Sequence, residues 1–364
     1  MSGIWGNNLE LSIFGESHGR AIGVTINGLP PGLVIDMETV LVEMARRAPG
    51  RNELTTPRKE KDEPDIVSGF LDGKTTGSPL TALIWNTNTR SKDYSQMKRL
   101  MRPGQADYPG KMRYDGYNDY RGSGHFSGRI TAPLVFAGAI AQQWLEQKGV
   151  TIGSHVKSIA DVEDEYFEEQ DQVTKEQMNQ MKLDQLPLFD ETKRQEMEQV
   201  IVDAKEDKDS VGGIVETFVL GMDAGYGNPF FDSVESTIAH LVFSVPATKG
   251  VEFGAGFEIT RMLGSEANDG YYYDENGQIK THTNNNGGIL GGITYGMPIV
   301  FRTAIKPPAS IEKTQETIDI EAEESADLEV HGRHDPCIVP RVLPVLEAIT
   351  AIGLMDLMLG RDKA

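Results

Sequence analysis

The chain has 364 residues, 38% hydrophobic and 25% charged, with 39 Gly and 18 Pro; that is a globular, turn-rich composition with room for a sizeable core, and it excludes a disordered, collagen-like or coiled-coil protein. Lys and Arg number 35 against 55 Asp and Glu, a formal net charge of −20, so the field of the whole molecule repels phosphates and argues against nucleic-acid or membrane partners. One cysteine, Cys337, excludes an intramolecular disulfide framework and suits a reducing compartment. The first residues lack the basic and apolar regions of a signal peptide, and the most apolar stretch, 342–359, carries Pro344, Glu347 and Asp356 and reads as a core helix. A cytoplasmic protein is therefore expected.

In chain order, residues 9–14 and 21–27 read as strands flanking a Gly-bounded turn, GESHG at 15–19. GLPPG at 28–32 is a turn, and Asp36 N-caps a helix running to Arg47. Residues 54–65 form a charged loop, and 66–71 and 80–85 are strands joined by DGKTTGSP. From 86 to 127 periodicity is almost absent; a run this long, rich in Arg, Asp, Tyr and Gly, reads as a functional loop region. Residues 131–147 form a long helix.

Residues 161–209 hold 17 acidic side chains against 6 basic ones, a local balance of −11, in two short helical patterns separated by LPLFD. This is an acidic, solvated helical excursion within a single domain spanning 1–364. Beyond it, 211–220 is a strand, 233–242 a helix capped by Ser233, and 250–257 and 299–305 are strands with TNNNGGILGG between them. VPRVLPVLEAITAI echoes SGRITAPLVFAGAIA: an Arg, then a Pro, then an Ala four residues after the Pro, heading a buried helix. The echo hints at an internal two-fold duplication. Strands come in antiparallel-looking groups with helices between the groups, so the fold class is α+β rather than a doubly wound parallel sheet.

Eleven of the 17 arginines fall within the first 129 residues. An acidic protein that concentrates Arg in Gly-rich segments is expected to hold a focused pocket for a small polyanion, because Arg is best suited to bidentate recognition of carboxylate and phosphate. GESHG presents Ser17 and His18, and His18 can donate a proton or a hydrogen bond to an anion. The turn spells G-x-S-x-G, but a strand follows it rather than a helix, which disfavours a serine hydrolase. GRHDPC at 332–337 reads either as an anion-binding and proton-accepting loop or as a surface turn of mixed charge; it lacks a zinc spacing, so no metal site is assigned. KPPAS at 306–310 and GGILGG at 287–292 read equally as phosphate cradles or ordinary turns. With no Walker A sequence and no G-x-G-x-x-G between strand and helix, a nucleotide kinase and a Rossmann dehydrogenase are disfavoured.

FGESHG, GLPPG, RR-x-PG, NTNTRSKDY, RPGQADY, DYRGSGHFSGR, KGVEFGAGF, GGILGGI, KPPAS and GRHDPCIVPR together span almost the whole chain. In content and order they resemble the chorismate synthase family. The resemblance implies a β-α-β sandwich with internal pseudo-two-fold duplication and helices between antiparallel sheets, assembled as a homotetramer. It implies 1,4-anti elimination of phosphate from 5-enolpyruvylshikimate 3-phosphate to give chorismate, requiring reduced FMN without net redox change.

On this resemblance His18 contacts or protonates the leaving phosphate with Ser17 beside it, and Asp335 relays a proton. Gln105 stands where the family's RPGHAD carries His, so it can donate a hydrogen bond but not titrate. Arg46, Arg47, Arg51, Arg129 and Arg333 bind substrate, and an Arg common after RR-x-PG aligns with Glu53, with Arg51 near enough to take over. Flavin contacts map onto His125, Phe126 and Ser127, onto Pro246 and Ala247, onto Gly291, onto Lys306, Pro307, Pro308, Ala309 and Ser310, and onto Arg333. His125, in HFSGR where RSSAR is usual, brings an imidazole that offers a partial substitute for the missing His. With no further domain visible for a built-in reductase, reduced flavin is expected from outside, with NADPH as indirect reductant and a separate flavin reductase as partner. Two other classes remain: a flavin oxidoreductase that consumes reduced flavin, and a catalytically silent binding protein.

Overall fold

The structure is a computed structural model and describes residues 3–50, 62–87, 96–170, 173–332 and 334–362. Alternating side chains build a first sheet of five antiparallel strands. These are β1 (Ile4–Trp5), β2 (Glu10–Gly15), β3 (Ala21–Asn27), β4 (Pro64–Ser68) and β5 (Leu80–Trp85), in the order β1-β2-β3-β5-β4. Ile22 faces Ile84, Val24 faces Ala82 and Ile26 faces Leu80, all buried. On the other face the hydroxyls of Thr25 and Thr81 lie 3.0 Å apart. The strand expected over 66–71 is split: Gly69 turns the chain at φ +79° against Leu80, and Phe70–Leu71 pairs separately with Lys74–Thr75.

The second sheet comprises β6 (Thr151–Ile159), β7 (Val162–Glu163), β8 (Gly213–Leu220), β9 (Thr248–Phe253) and β10 (Ile299–Ile305). Their order is β9-β10-β8-β6-β7, again antiparallel throughout. β6 is absent from the sequence expectation. Its residues, TIGSHVKSI, mix Gly, Ser, His and Lys, yet all but the first are buried, because both faces of the strand are covered.

α1 (Met37–Arg47) starts at Asp36, whose carboxylate accepts from the Glu38 N–H at 3.0 Å. Five helices follow: α2 (Asp107–Arg113), α3 (Thr131–Glu146), α4 (Lys175–Leu183), α5 (Arg194–Glu206) and α6 (Val234–Ser244), the last capped by Ser233 as expected. A single turn, α7 (Gly264–Ala267), precedes the long α8 (Val339–Asp362). α3 packs on β3 and β5 of the first sheet and on β6 of the second, and α8 packs on α3, α6, β6 and β8. The helical layer thus lies between the two sheets, an α+β arrangement.

α8 is long and apolar enough to cross a membrane, but it is buried in the core. Its charged groups find protein partners there: Glu347 accepts from Arg46 and Ser154, and Asp356 accepts the backbone N–H groups of Asn7, Asn8 and Leu9 at 3.0, 2.6 and 2.7 Å. The acidic excursion is surface structure with one buried face. Met178, Phe167, Val173 and Phe189 cover Phe218 and Val300 on the outside of the second sheet, while Met197 and Ile201 join the main core. Most of its carboxylates face solvent.

Candidate functional site

Segments far apart in sequence meet around a cavity of ≈ 290 Å³. The first is the turn between β2 and β3. Gly15, at φ +98°, passes so close to Ala21 that a Cβ would lie 2.4 Å from its carbonyl oxygen. Ser17 and His18 follow, both buried. The Ser17 hydroxyl donates to the Gly122 carbonyl at 2.7 Å, so it is held by backbone. Asn86 braces the turn by donating to the carbonyls of Glu16 and Gly19 at 3.0 and 2.9 Å.

The region 86–127, expected to lack regular structure, contains α2 and a 3-10 turn at Arg121–Phe126. Within that turn Gly122, Ser123 and Gly124 are left-handed, with φ of +57°, +69° and +52°. Gly122 passes directly beneath His18, where a Cβ would lie 2.5 Å from the imidazole Cδ2. Phe126 and Ser127 then line the cavity. His125 does not: its Nδ1 donates to the Gly15 carbonyl at 2.8 Å. The imidazole therefore turns back onto the first sheet.

Arg47, in the last turn of α1, and Arg129, in the 3-10 turn Gly128–Ile130, both reach the cavity. Both bind Asp62, at 3.0 Å from Arg47 and 2.6 Å from Arg129. Burial presses Arg47 down to about 10, with Asp62 opposing and Arg341 and Arg129 adding to the fall; it stays charged at neutral pH. Burial also works against the Asp62 carboxylate, but the two guanidiniums prevail and hold it below its ordinary value. Arg46, also expected to bind substrate, is not among the cavity-lining residues. It points into the core, where it bonds Glu43 at 2.6 Å and Glu347 at 2.5 and 2.9 Å, because adjacent helical residues diverge by about 100°.

The segment leading into α8 supplies Asp335 and the first turn of α8 supplies Arg341; the two pair with each other, and Arg341 donates to the Arg47 carbonyl at 3.1 Å. Pro246 and Ala247 line the cavity with Lys306, Pro307, Pro308, Ala309 and Ser310. Burial and neighbouring Lys249 lower the Lys306 ammonium from its usual range. Gln105 lines the cavity, its amide oxygen accepting from the Ala106 N–H at 3.0 Å. Gly291 lies elsewhere, in the hairpin of Ile289–Leu290 and Ile293–Thr294, whose turn packs on Asn228 and Ser233. Arg51 and Arg333 lie outside the described residues, as do most of the 54–65 loop and Glu53.

Sequence reasoning missed Arg102, which ties three segments of the wall together. It grips Asp107 at 2.7 Å through both Nε and Nη2, and reaches Ser123 at 2.9 Å and Ser310 at 3.3 Å. It also missed Arg341 and His334 as lining residues. The signals were there, in RPGQAD and GRHDPCIVPR, but spacing does not say which member of a motif faces inward. Among the described residues no group of three or more His, Cys, Asp or Glu is arranged for a metal ion.

Among the described residues five cationic side chains (Arg47, Arg102, Arg129, Lys306 and Arg341) meet one lining carboxylate, Asp335, with Asp62 and Asp107 behind the wall. Phe126 and four prolines, Pro49, Pro246, Pro307 and Pro308, add apolar surface to the lining. Such a site suits a planar ring system beside a small polyanion.

A family model described as chorismate synthase matches residues 9–359. The chain is 44% identical over 356 residues to chorismate synthase of Thermococcus gammatolerans, covering 98% of this chain and 97% of that protein. It is 46% identical over 360 residues to that of Chitinophaga pinensis, with 99% and 97% covered. A crystal structure of chorismate synthase superposes with a TM-score of 0.76 at 31% identity, covering 98% of this chain and 93% of that one. Coverage by motif, fold and relatives thus coincides from end to end, and the chain belongs to the chorismate synthase family.

Proposed function

We propose that this cavity is where the chain eliminates phosphate from 5-enolpyruvylshikimate 3-phosphate, with reduced FMN bound against the Phe126–Ser127, Pro246–Ala247 and Lys306–Ser310 walls. The carrying observation is that Ser17–His18 and Asp335–Arg341, more than 300 residues apart in sequence, line one cavity together with Arg47, Arg102 and Arg129. When bound, reduced FMN supplies a transient reservoir of electron density without net oxidation. The chain's own residues do the rest. The cations of the wall take up the phosphate and carboxylates of the substrate and offset charge developing on the leaving phosphate. His18 donates a proton or a hydrogen bond to that phosphate, and its burial over Gly122 fixes where the ring stands. Asp335, held by Arg341, is the carboxylate available to accept and pass on a proton. Phe126 and the prolines exclude water.

The twin helices α3 and α8 support a duplicated fold. Arg129, Pro133 and Ala137 head one, Arg341, Pro344 and Ala348 the other, and both arginines line the cavity. Assembly as a cytoplasmic homotetramer, supplied with reduced flavin by a separate reductase that draws on NADPH, belongs to the same reading. The deciding experiment is an anaerobic assay with reduced FMN and substrate, following chorismate absorbance and phosphate release. Many phosphates released per flavin, with the flavin still reduced, is the expected result. One phosphate per flavin oxidised would identify an oxidoreductase, and tight binding without release a silent protein; either result overturns the reading.

A further inference from the structure

We propose that Asp62 is a positioning residue for substrate: a single carboxylate behind the cavity wall that sets Arg47 and Arg129 side by side so that both address one anionic group. The inference rests on the cavity being the substrate site.

Asp62 does not line the cavity, and its side chain is fully buried. Each oxygen serves a different guanidinium, Oδ2 accepting from Arg47 Nη1 at 3.0 Å and Oδ1 from Arg129 Nη1 at 2.6 Å. Two buried cations this close repel, and the carboxylate between them is what lets both stay charged and adjacent. The remaining bonds lock the pair into one unit. Arg47 donates from Nη2 to the Gly128 carbonyl at 2.6 Å and from Nε to the Thr131 hydroxyl at 3.1 Å. Arg129 donates from Nε to Asn86 Oδ1 at 2.6 Å, the same Asn86 that braces the His18 turn. Asp62 thereby registers the arginines with the imidazole. Its backbone is left-handed, at φ +51°; Asp tolerates this region better than most residues, and the conformation accompanies the inward turn of the side chain.

An amide cannot replace this carboxylate. Asn at 62 offers one oxygen to one guanidinium and turns an NH2 donor toward the other. The test is Asp62→Asn, compared with wild type and with Arg47→Met and Arg129→Met. Calorimetric titration with 5-enolpyruvylshikimate 3-phosphate in the presence of oxidised FMN is read beside steady-state kinetics with reduced FMN. Asp62→Asn is expected to weaken substrate Kd and raise KM at least tenfold, with kcat within threefold of wild type. Unchanged Kd in folded Asp62→Asn, or lower kcat at unchanged KM, overturns the assignment; so does a lowered unfolding temperature with KM unmoved, the mark of a purely structural role. If Arg47→Met and Arg129→Met also leave Kd unchanged, the cavity reading itself fails; if they weaken binding and Asp62→Asn does not, only the Asp62 inference does. Should Asp62→Asn not fold, Asp62→Ser, small enough to admit water between the guanidiniums, takes its place with the same expectation.

Discussion

Arg46 and Arg47 are chemically identical neighbours, and the fold gives them opposite tasks. Arg47 faces the cavity, whereas Arg46 joins α1 to α8 through Glu347 and meets Glu43, which Lys182 also approaches at 3.3 Å. Ser154 of β6 completes the cluster at 2.5 Å from Glu347. Replacing Arg46 by Met takes the cation from buried Glu347 and leaves Glu43 only Lys182, and breaking such a buried pair costs about 3–5 kcal/mol. Denaturant unfolding of Arg46→Met should show a loss of that size, while KM for substrate in the folded enzyme stays within twofold of wild type. A selective rise in KM would return Arg46 to the substrate site. Sequence could not separate the two arginines, because which of them faces inward depends on how α1 is rotated against α3 and α8.

The acidic excursion shows the same limit for an element. Its two helical patterns were legible, and α4 and α5 fall where those patterns lie. Its docking was not legible. Across the outer face of the second sheet His155 pairs with Glu216 and Glu216 with Arg302, with His155 also held by Asp164, each His contact at 2.9 Å. The two carboxylates receive the excursion's backbone: Glu216 accepts from the Phe167 N–H, and Asp164 from those of Phe189 and Asp190.

Burial opposes a charge on His155, but the hydrogen bonds it donates to Asp164 and Glu216 outweigh it, so the imidazole titrates above its ordinary value. Burial likewise opposes the two carboxylates, and His155 is the main cause that brings both below theirs. The stability His155 contributes is therefore complete below about pH 6.5 and drains as pH rises through its raised value. That of Asp164 and Glu216 is complete above about pH 4 and drains as pH falls. Scanning calorimetry from pH 5 to 9 should find a declining Tm on the alkaline side for wild type and a flatter, lower curve for His155→Gln. An equal alkaline decline in both would remove His155 as the cause.

For the whole molecule the decisive contact is the crossing of α3 and α8; Arg129 lies in the turn that leads into α3 and Arg341 in the first turn of α8. They approach so closely at Gly138 that a Cβ there would lie 2.2 Å from the Cβ of Ala348. Gly138→Ala should therefore lower unfolding free energy by ~3 kcal/mol, the upper range for overpacking a tight core. It should also lower turnover in the fraction still folded, because separating the helices moves the two arginines apart. Equilibrium unfolding and kinetics check both; wild-type values would mean that the crossing relaxes freely. The echo between the two helix sequences was legible, but not that the helices touch.

Composition and local pattern alone determined the α+β class, the strands around GESHG, the caps at Asp36 and Ser233, and the expectation of a cationic pocket in an acidic protein. These follow from period, capping chemistry and charge, which are properties of short stretches. Motif order along the chain determined the family. Only the tertiary structure decided that β6 is a buried strand despite its polar residues, that His125 and Arg46 turn away from the cavity, and that Arg102, Arg341 and the hidden Asp62 shape it. Each of these depends on which segments pack together, and the partners that satisfy a buried charge come from distant parts of the chain, beyond the reach of any local pattern.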